Sequence, residues 1–157
     1  MPIDDVTSSV DHFIPGLAVD PTTSGAGTHL ALTYYFYPNA NCGGACRLEV
    51  GYISSPDGGA HWGAATQLAG PMALSEIANT SQGPMVGDYI STSFSGTKAT
   101  TVFAVGKQTE TAAFDEAMYS PGRLSVASVA QATRVASSAG AFGAVGTGET
   151  HHALKND

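Results

Sequence analysis

Few residues in this chain have the types and spacing to do chemistry. Glu76 and Asp88 are the first carboxylates to consider, because cleavage of a glycosidic bond needs one carboxyl group as acid and a second as base or nucleophile. Each has a plainer reading: Asp88 hydrogen-bonded to the backbone of a neighbouring strand, and Glu76 solvated in a loop. Tyr89 offers an aromatic surface, although a tyrosine in a strand usually packs into a core. Arg47, Arg123 and Arg134 are the only arginines, and only arginine offers the planar fork that clamps a carboxylate through two bonds.

Metal and cofactor chemistry find less support. His151-His152 has no third ligand in view, so no metal site is expected. Gly143 to Gly148 lacks the preceding strand and following helix that a dinucleotide loop requires, and no cofactor is expected. Cys42 and Cys46 flank Gly43-Gly44-Ala45, small residues that let the loop close on itself. Without neighbouring His or Cys this is a poor zinc site. A local disulfide in an oxidising compartment is the expectation, with free thiols as the alternative.

The totals narrow the partners. The 157 residues suffice for one ordinary domain with a real core. Acidic residues outnumber basic ones 13 to 6, for a formal charge of −7; this opposes nucleic acid or an anionic membrane as partner, since phosphate recognition needs clustered Lys and Arg. Only 12% of residues are charged, while Gly, Ser, Thr and Ala abound, as in extracellular β-proteins rich in turns. No apolar run approaches the length of a membrane span. Met1 to Asp5 has no basic or apolar region of a signal peptide, so export, to an extracellular or periplasmic location, implies a signal peptide absent from this chain.

One stretch organises the rest: Ser55-Pro56-Asp57-Gly58-Gly59-Ala60-His61-Trp62. The Asp57 carboxylate can accept hydrogen bonds from the N–H groups of its own turn. Gly58 and Gly59 supply positive φ, and Trp62 can fold back over the hairpin, its indole N–H needing one acceptor. His61 is expected at the exposed side of the turn.

This octapeptide, with Ser55, Asp57, Gly59 and Trp62 as its markers, resembles the Asp-box of sialidases and other BNR-repeat β-propellers. His61 stands where the family usually has Thr. The resemblance implies that the box is structural and lies between the third and fourth strands of a propeller blade.

Taken in order, residues 1–12 read as an irregular lead-in. Strands are expected over Phe13 to Asp20, His29 to Tyr37, Arg47 to Ser54 and Ala64 to Ala69, making one antiparallel blade over 13–69. In the second of these, Leu30, Leu32, Tyr34 and Phe36 share one face, and Ala31, Thr33, Tyr35 and Tyr37 the other. After a connector over 70–83, a second blade over 84–129 is expected from Met85 to Thr92, Lys98 to Gly106, Phe114 to Ser120 and Leu124 to Val129. Tyr119-Ser120-Pro121-Gly122 reads as a degenerate box, and residues 130–157 as a flexible Ala/Gly/Ser tail. The fold class is all-β, a partial β-propeller of about two four-stranded antiparallel blades. Two blades leave large apolar faces in water, so further blades or self-association are needed to close a ring.

Blade geometry sorts the loops into two ends. The box lies at one, while Asn39 to Cys46, the 70–83 connector and Lys107 to Ala113 lie at the other, where propeller ligands bind. Asp11 and His12 join that end if Phe13 starts an innermost strand. Arg47, Tyr89, Gln82 and Asn41 are therefore the candidate substrate-binding residues, beside Asp88 and Glu76 as catalytic candidates. Gln82 to Tyr89 and Phe114 to Tyr119 also look like the closing blades of secreted bacterial sialidase-like proteins. That likeness implies a tyrosine nucleophile at Tyr119 with Glu116 as its partner. It implies a carbohydrate substrate and, because the arginines are too few, a portion of a glycoside hydrolase incomplete for catalysis alone. A non-catalytic glycan- or protein-binding module is the alternative, and a structural repeat that assembles with its own copies a third.

Overall fold

A computed structural model describes residues 9–109 and 115–134. These residues form antiparallel β-sheets joined by short 3-10 turns, with no α-helix among them. The expected all-β antiparallel class is therefore what the chain adopts. Neither sheet closes on itself.

The first sheet is a four-stranded meander of β1 (Asp11–Val19), β2 (Leu30–Tyr37), β3 (Arg47–Ser55) and β5 (Thr66–Ala73). Between β3 and β5 the two-residue strand β4 (His61–Trp62) pairs with β12 (Thr133–Arg134). Two short strands, β6 (Asn79–Thr80) and β7 (Gly83–Pro84), form a small hairpin of their own. The second sheet is centred on β9 (Lys98–Lys107), with β8 (Ser91–Ser95) on one edge and β10 (Asp115–Tyr119) followed by β11 (Arg123–Ser125) on the other.

The alternation of β2 positions both sheets. Ala31, Thr33 and Tyr35 are buried against the second sheet, and Tyr35 joins Leu48, Val50, Met72, Ile77, Val86, Ile90 and Phe103 in the main core. The opposite face carries Tyr34 with Leu30, Leu32 and Phe36, packed with Ile53 and Trp62. β2 is thus apolar on both sides, unlike a strand with one face in water. Burying each large side chain in the main core contributes roughly 1.5–3 kcal/mol.

Several boundaries differ from the sequence expectation. The lead-in ends earlier, since Asp11 and His12 already pair with Tyr37 and Phe36 in β1. The last strand of the first sheet runs Thr66–Ala73 rather than Ala64 to Ala69, taking up the start of the connector. Residues 85–90 are not a strand: Val86 and Ile90 turn into the core, and pairing begins at Ser91. Tyr119 to Gly122 is not a box hairpin, because β10 and β11 both run antiparallel to β9. They are one strand interrupted by a bend at Gly122, where φ is 91°, so the second sheet has three strand positions rather than four. Part of the supposed tail is structured, as Thr133 and Arg134 pair with Trp62 and His61. Phe114, His151-His152, Gly143 to Gly148 and the rest of 135–157 lie outside the described residues.

Candidate functional site

The turn that follows β3, at one end of the first sheet, is wired through its side chains. Ser55 Oγ accepts from the amide of Gly59 at 2.8 Å and donates to Asp57 Oδ1 at 3.1 Å. Asp57 Oδ1 also accepts from the His61 amide at 2.8 Å, while Oδ2 lies 2.5 Å from His61 Nδ1. Gly58 and Gly59 take φ of 70° and 93°, and the Trp62 indole N–H donates to Gly59 O at 3.1 Å. The Asp57 carboxylate and the Trp62 indole N–H thus both have the partners that the sequence called for. His61 differs from expectation: it is half-buried and paired with Asp57, not exposed. The His61 amide above all holds the Asp57 carboxyl below its usual range, with Ser55 and the His61 ring adding to the effect.

A second carboxylate turn sits beside it. Asp20, fully buried, accepts from the amide and hydroxyl of Thr22 at 2.9 and 2.7 Å, and its other oxygen lies 3.4 Å from His29 Nδ1. The bonds from Thr22 hold this carboxyl below its usual range against the opposing effect of burial. The two turns touch, since the Gly58 amide donates to Thr28 O at 2.7 Å. Asp20 closes the first strand expected from the sequence, which did not single it out as a turn carboxylate.

The opposite end holds the residues put forward for catalysis. Glu76 Oε2 accepts from the Ala73 amide at 2.7 Å, closing the short turn Leu74–Glu76. Glu116 Oε2 accepts from the Ala78 amide at 2.7 Å, tying β10 to the connector. Both glutamates thus cap backbone. Tyr119 lies three residues beyond Glu116 in the same strand, and an odd offset puts the two side chains on opposite faces. Tyr119 packs inward on the main core, with Lys107 Nζ 4.3 Å from its ring centroid, and the Tyr119 hydroxyl holds that ammonium above its usual pKa. The nucleophile–partner couple implied by the resemblance is therefore not assembled.

The remaining candidates are dispersed. Asp88 and Tyr89 are exposed in the segment before β8, Tyr89 at 86%. Gln82 is exposed beside the β6–β7 hairpin, where its amide donates to Thr80 Oγ1. Asn41 lies exposed in the loop closed by the Cys42–Cys46 disulfide, its amide bonded to Asn39 Oδ1. Arg47 stands opposite Ala73, Arg123 opposite Thr100 and Arg134 opposite His61, three separate places in the sheets. Among the described residues no group of three or more His, Cys, Asp or Glu could hold a metal. No described helix is long and apolar enough to cross a membrane.

The structure adds one feature that the sequence did not suggest. A groove of about 270 Å³ crosses the outer face of the first sheet, lined by Val10, His12, Tyr34, Phe36, Thr66 and Gln67. Gly51 makes it possible: a Cβ there would meet the Tyr34 ring at 2.6 Å. His12 and Phe36 stack at 5.9 Å between centroids, and His12 meets Tyr34 edge-on at 5.2 Å. At Ile14, where β1 breaks register, a β-branched residue sits at φ 48°, a strained conformation held by packing on the main core.

No protein-family model, no curated protein and no solved structure matches the chain.

Proposed function

We propose that this chain is a scaffold portion of a secreted, sialidase-like Asp-box β-propeller, of the glycoside hydrolase class and incomplete for catalysis by itself. The observation that carries the reading is the Ser55–Asp57–Gly59–Trp62 turn: its carboxylate accepts from the backbone and its indole closes on Gly59. The meander that holds this turn packs face to face on a second antiparallel sheet, as neighbouring blades would. The disulfide suits an oxidising, extracellular or periplasmic location. Carbohydrate is the expected partner, with Asn41, Arg47, Gln82 and Tyr89 as the residues the resemblance puts forward for binding it.

The use made of the carboxylates supports a scaffold rather than a complete enzyme. Glu76 and Glu116 cap amides, and Glu116 and Tyr119 face opposite ways. The same facts favour the second reading, a non-catalytic module that binds a glycan or a protein on its loop face. A fluorogenic sialoside tests both. The chain alone is expected to give no turnover; turnover lost in Asp88→Asn or Tyr119→Phe would sink the scaffold reading. Binding on a glycan array without turnover supports the module.

A further inference from the structure

Asn79-Thr80-Ser81 is an Asn-x-Ser tripeptide with no proline at its middle position, the acceptor pattern for N-linked glycosylation. Asn39 and Asn41 do not share it, since Asn41 and Gly43 stand two residues after them. A pattern this short recurs by chance, and its position in the fold is what separates an acceptor from a coincidence.

The tripeptide lies on the β6–β7 hairpin, whose register sets Asn79 opposite Pro84 and Thr80 opposite Gly83. Residues 79–82 are all exposed. Thr80 Oγ1 donates to Gly83 O at 2.9 Å and accepts from the Gln82 amide at 3.1 Å, so the hydroxyl of the middle residue builds the turn. No hydrogen bond among the described residues engages the Asn79 side-chain amide or the Ser81 hydroxyl, the two groups that the pattern requires. The base of the hairpin is fixed: the Met85 amide donates to Ala78 O at 2.9 Å, and Ile77 and Val86 on either side are buried in the main core. A bulky polar chain on Asn79 thus extends into water from an anchored hairpin and displaces no contact.

We propose that Asn79 is the acceptor for one N-linked oligosaccharide, attached as the chain passes through an oxidising secretory route. The inference rests on the export part of the proposed function and not on the propeller. The Cys42–Cys46 disulfide suits the same compartment. The donor is an oligosaccharide held on a lipid diphosphate, and a membrane-bound transferase of that route brings the two together. The Asn79 amide nitrogen forms a bond to the anomeric carbon as the bond from that carbon to the diphosphate oxygen breaks. The lipid diphosphate leaves with the electron pair, the nitrogen gives up one proton to a base of the transferase, and nothing is oxidised or reduced. The Ser81 hydroxyl completes the pattern that the transferase reads. Gln82 shares the turn with Asn79, so a glycan carried there stands beside a residue put forward for binding one.

The full chain, sent through the secretory route of a eukaryotic cell behind an added signal peptide, tests it. The expected product carries one oligosaccharide, seen as a mass shift that a peptide N-glycosidase removes, with the carrier side chain at position 79 converted to aspartate in the peptide mass spectrum. Asn79→Gln and Ser81→Ala are each expected to abolish the shift, and Ser81→Thr to retain it. All three sit at exposed positions, and their urea midpoints should match that of the parent stripped of sugar. A chain secreted with its Cys42–Cys46 bridge closed but without sugar would overturn the inference and leave the export reading standing. Sugar that persists on Asn79→Gln would overturn it as well, by placing the attachment elsewhere. Sialoside turnover and glycan-array binding bear on the propeller reading alone.

Discussion

The Tyr35 hydroxyl, on the first sheet, donates to Ala104 O at 2.9 Å and accepts from the Ala104 amide at 2.8 Å on the second. β8 pairs with β9 only as far as Val102, so the edge at Ala104 lacks a strand partner there. One phenol takes the place of that strand and joins the sheets at the middle of the core.

Tyr35→Phe leaves a buried amide and carbonyl unpaired, and is expected to cost about 2 kcal/mol in urea unfolding. Burial, opposed by the bond to Ala104, pushes the phenol up to about 12. Its contribution is complete below the ordinary tyrosine value and is lost as pH rises through the folded value. Stability of the parent should fall between about pH 10 and 12, and Tyr35→Phe should flatten part of that fall.

Trp62 is 7% exposed, covers Ile53 and donates to Gly59 O. Trp62→Ala is expected to cost about 3 kcal/mol by calorimetry. Trp62→Phe keeps most of the ring burial but loses the indole bond, and should lie between the two.

Asp57 and Asp20 are both held below their ordinary value of 3.8 by hydrogen bonds. A depressed carboxyl contributes stability that is present above the unfolded value and lost as pH falls through the folded one. The melting temperature should therefore fall below pH 3.8, and Asp57→Asn, which keeps an oxygen acceptor, should reduce the slope there. An unchanged acid slope in Asp57→Asn would remove the turn from that account.

Glu116 is expected to act through the Ala78 amide and not through a substrate. Glu116→Ala should destabilise by about 1–2 kcal/mol, with Glu116→Gln recovering most of it. A variant that loses sialoside turnover in the assembled protein while keeping full stability would assign Glu116 to catalysis.

The Cys42–Cys46 bridge closes a loop of sequence separation 4. So short a loop limits the unfolded-state entropy it removes, and the Cys42→Ser/Cys46→Ser pair should cost about 2 kcal/mol. The midpoint of urea unfolding, measured with and without reductant, checks this.

What the sequence by itself determined was local. Asp57, its glycines and Trp62 sit within one turn of each other, so residue chemistry at short range settled their hydrogen bonds before any packing. The alternation of β2 and the closure of the cysteine loop were legible for the same reason. What only the tertiary structure decided was who faces whom. Tyr35 meets Ala104 across 69 residues of chain and Glu116 meets Ala78 across 38, and no local pattern encodes either. The segment over 85–90 reads as a strand from its residues, but Val86 and Ile90 gain more by entering the core than by pairing. Tyr119 and Glu116 looked like a couple in the sequence. The period of two in a strand, once β10 was formed, turned them to opposite faces, because direction follows from backbone geometry and not from proximity along the chain.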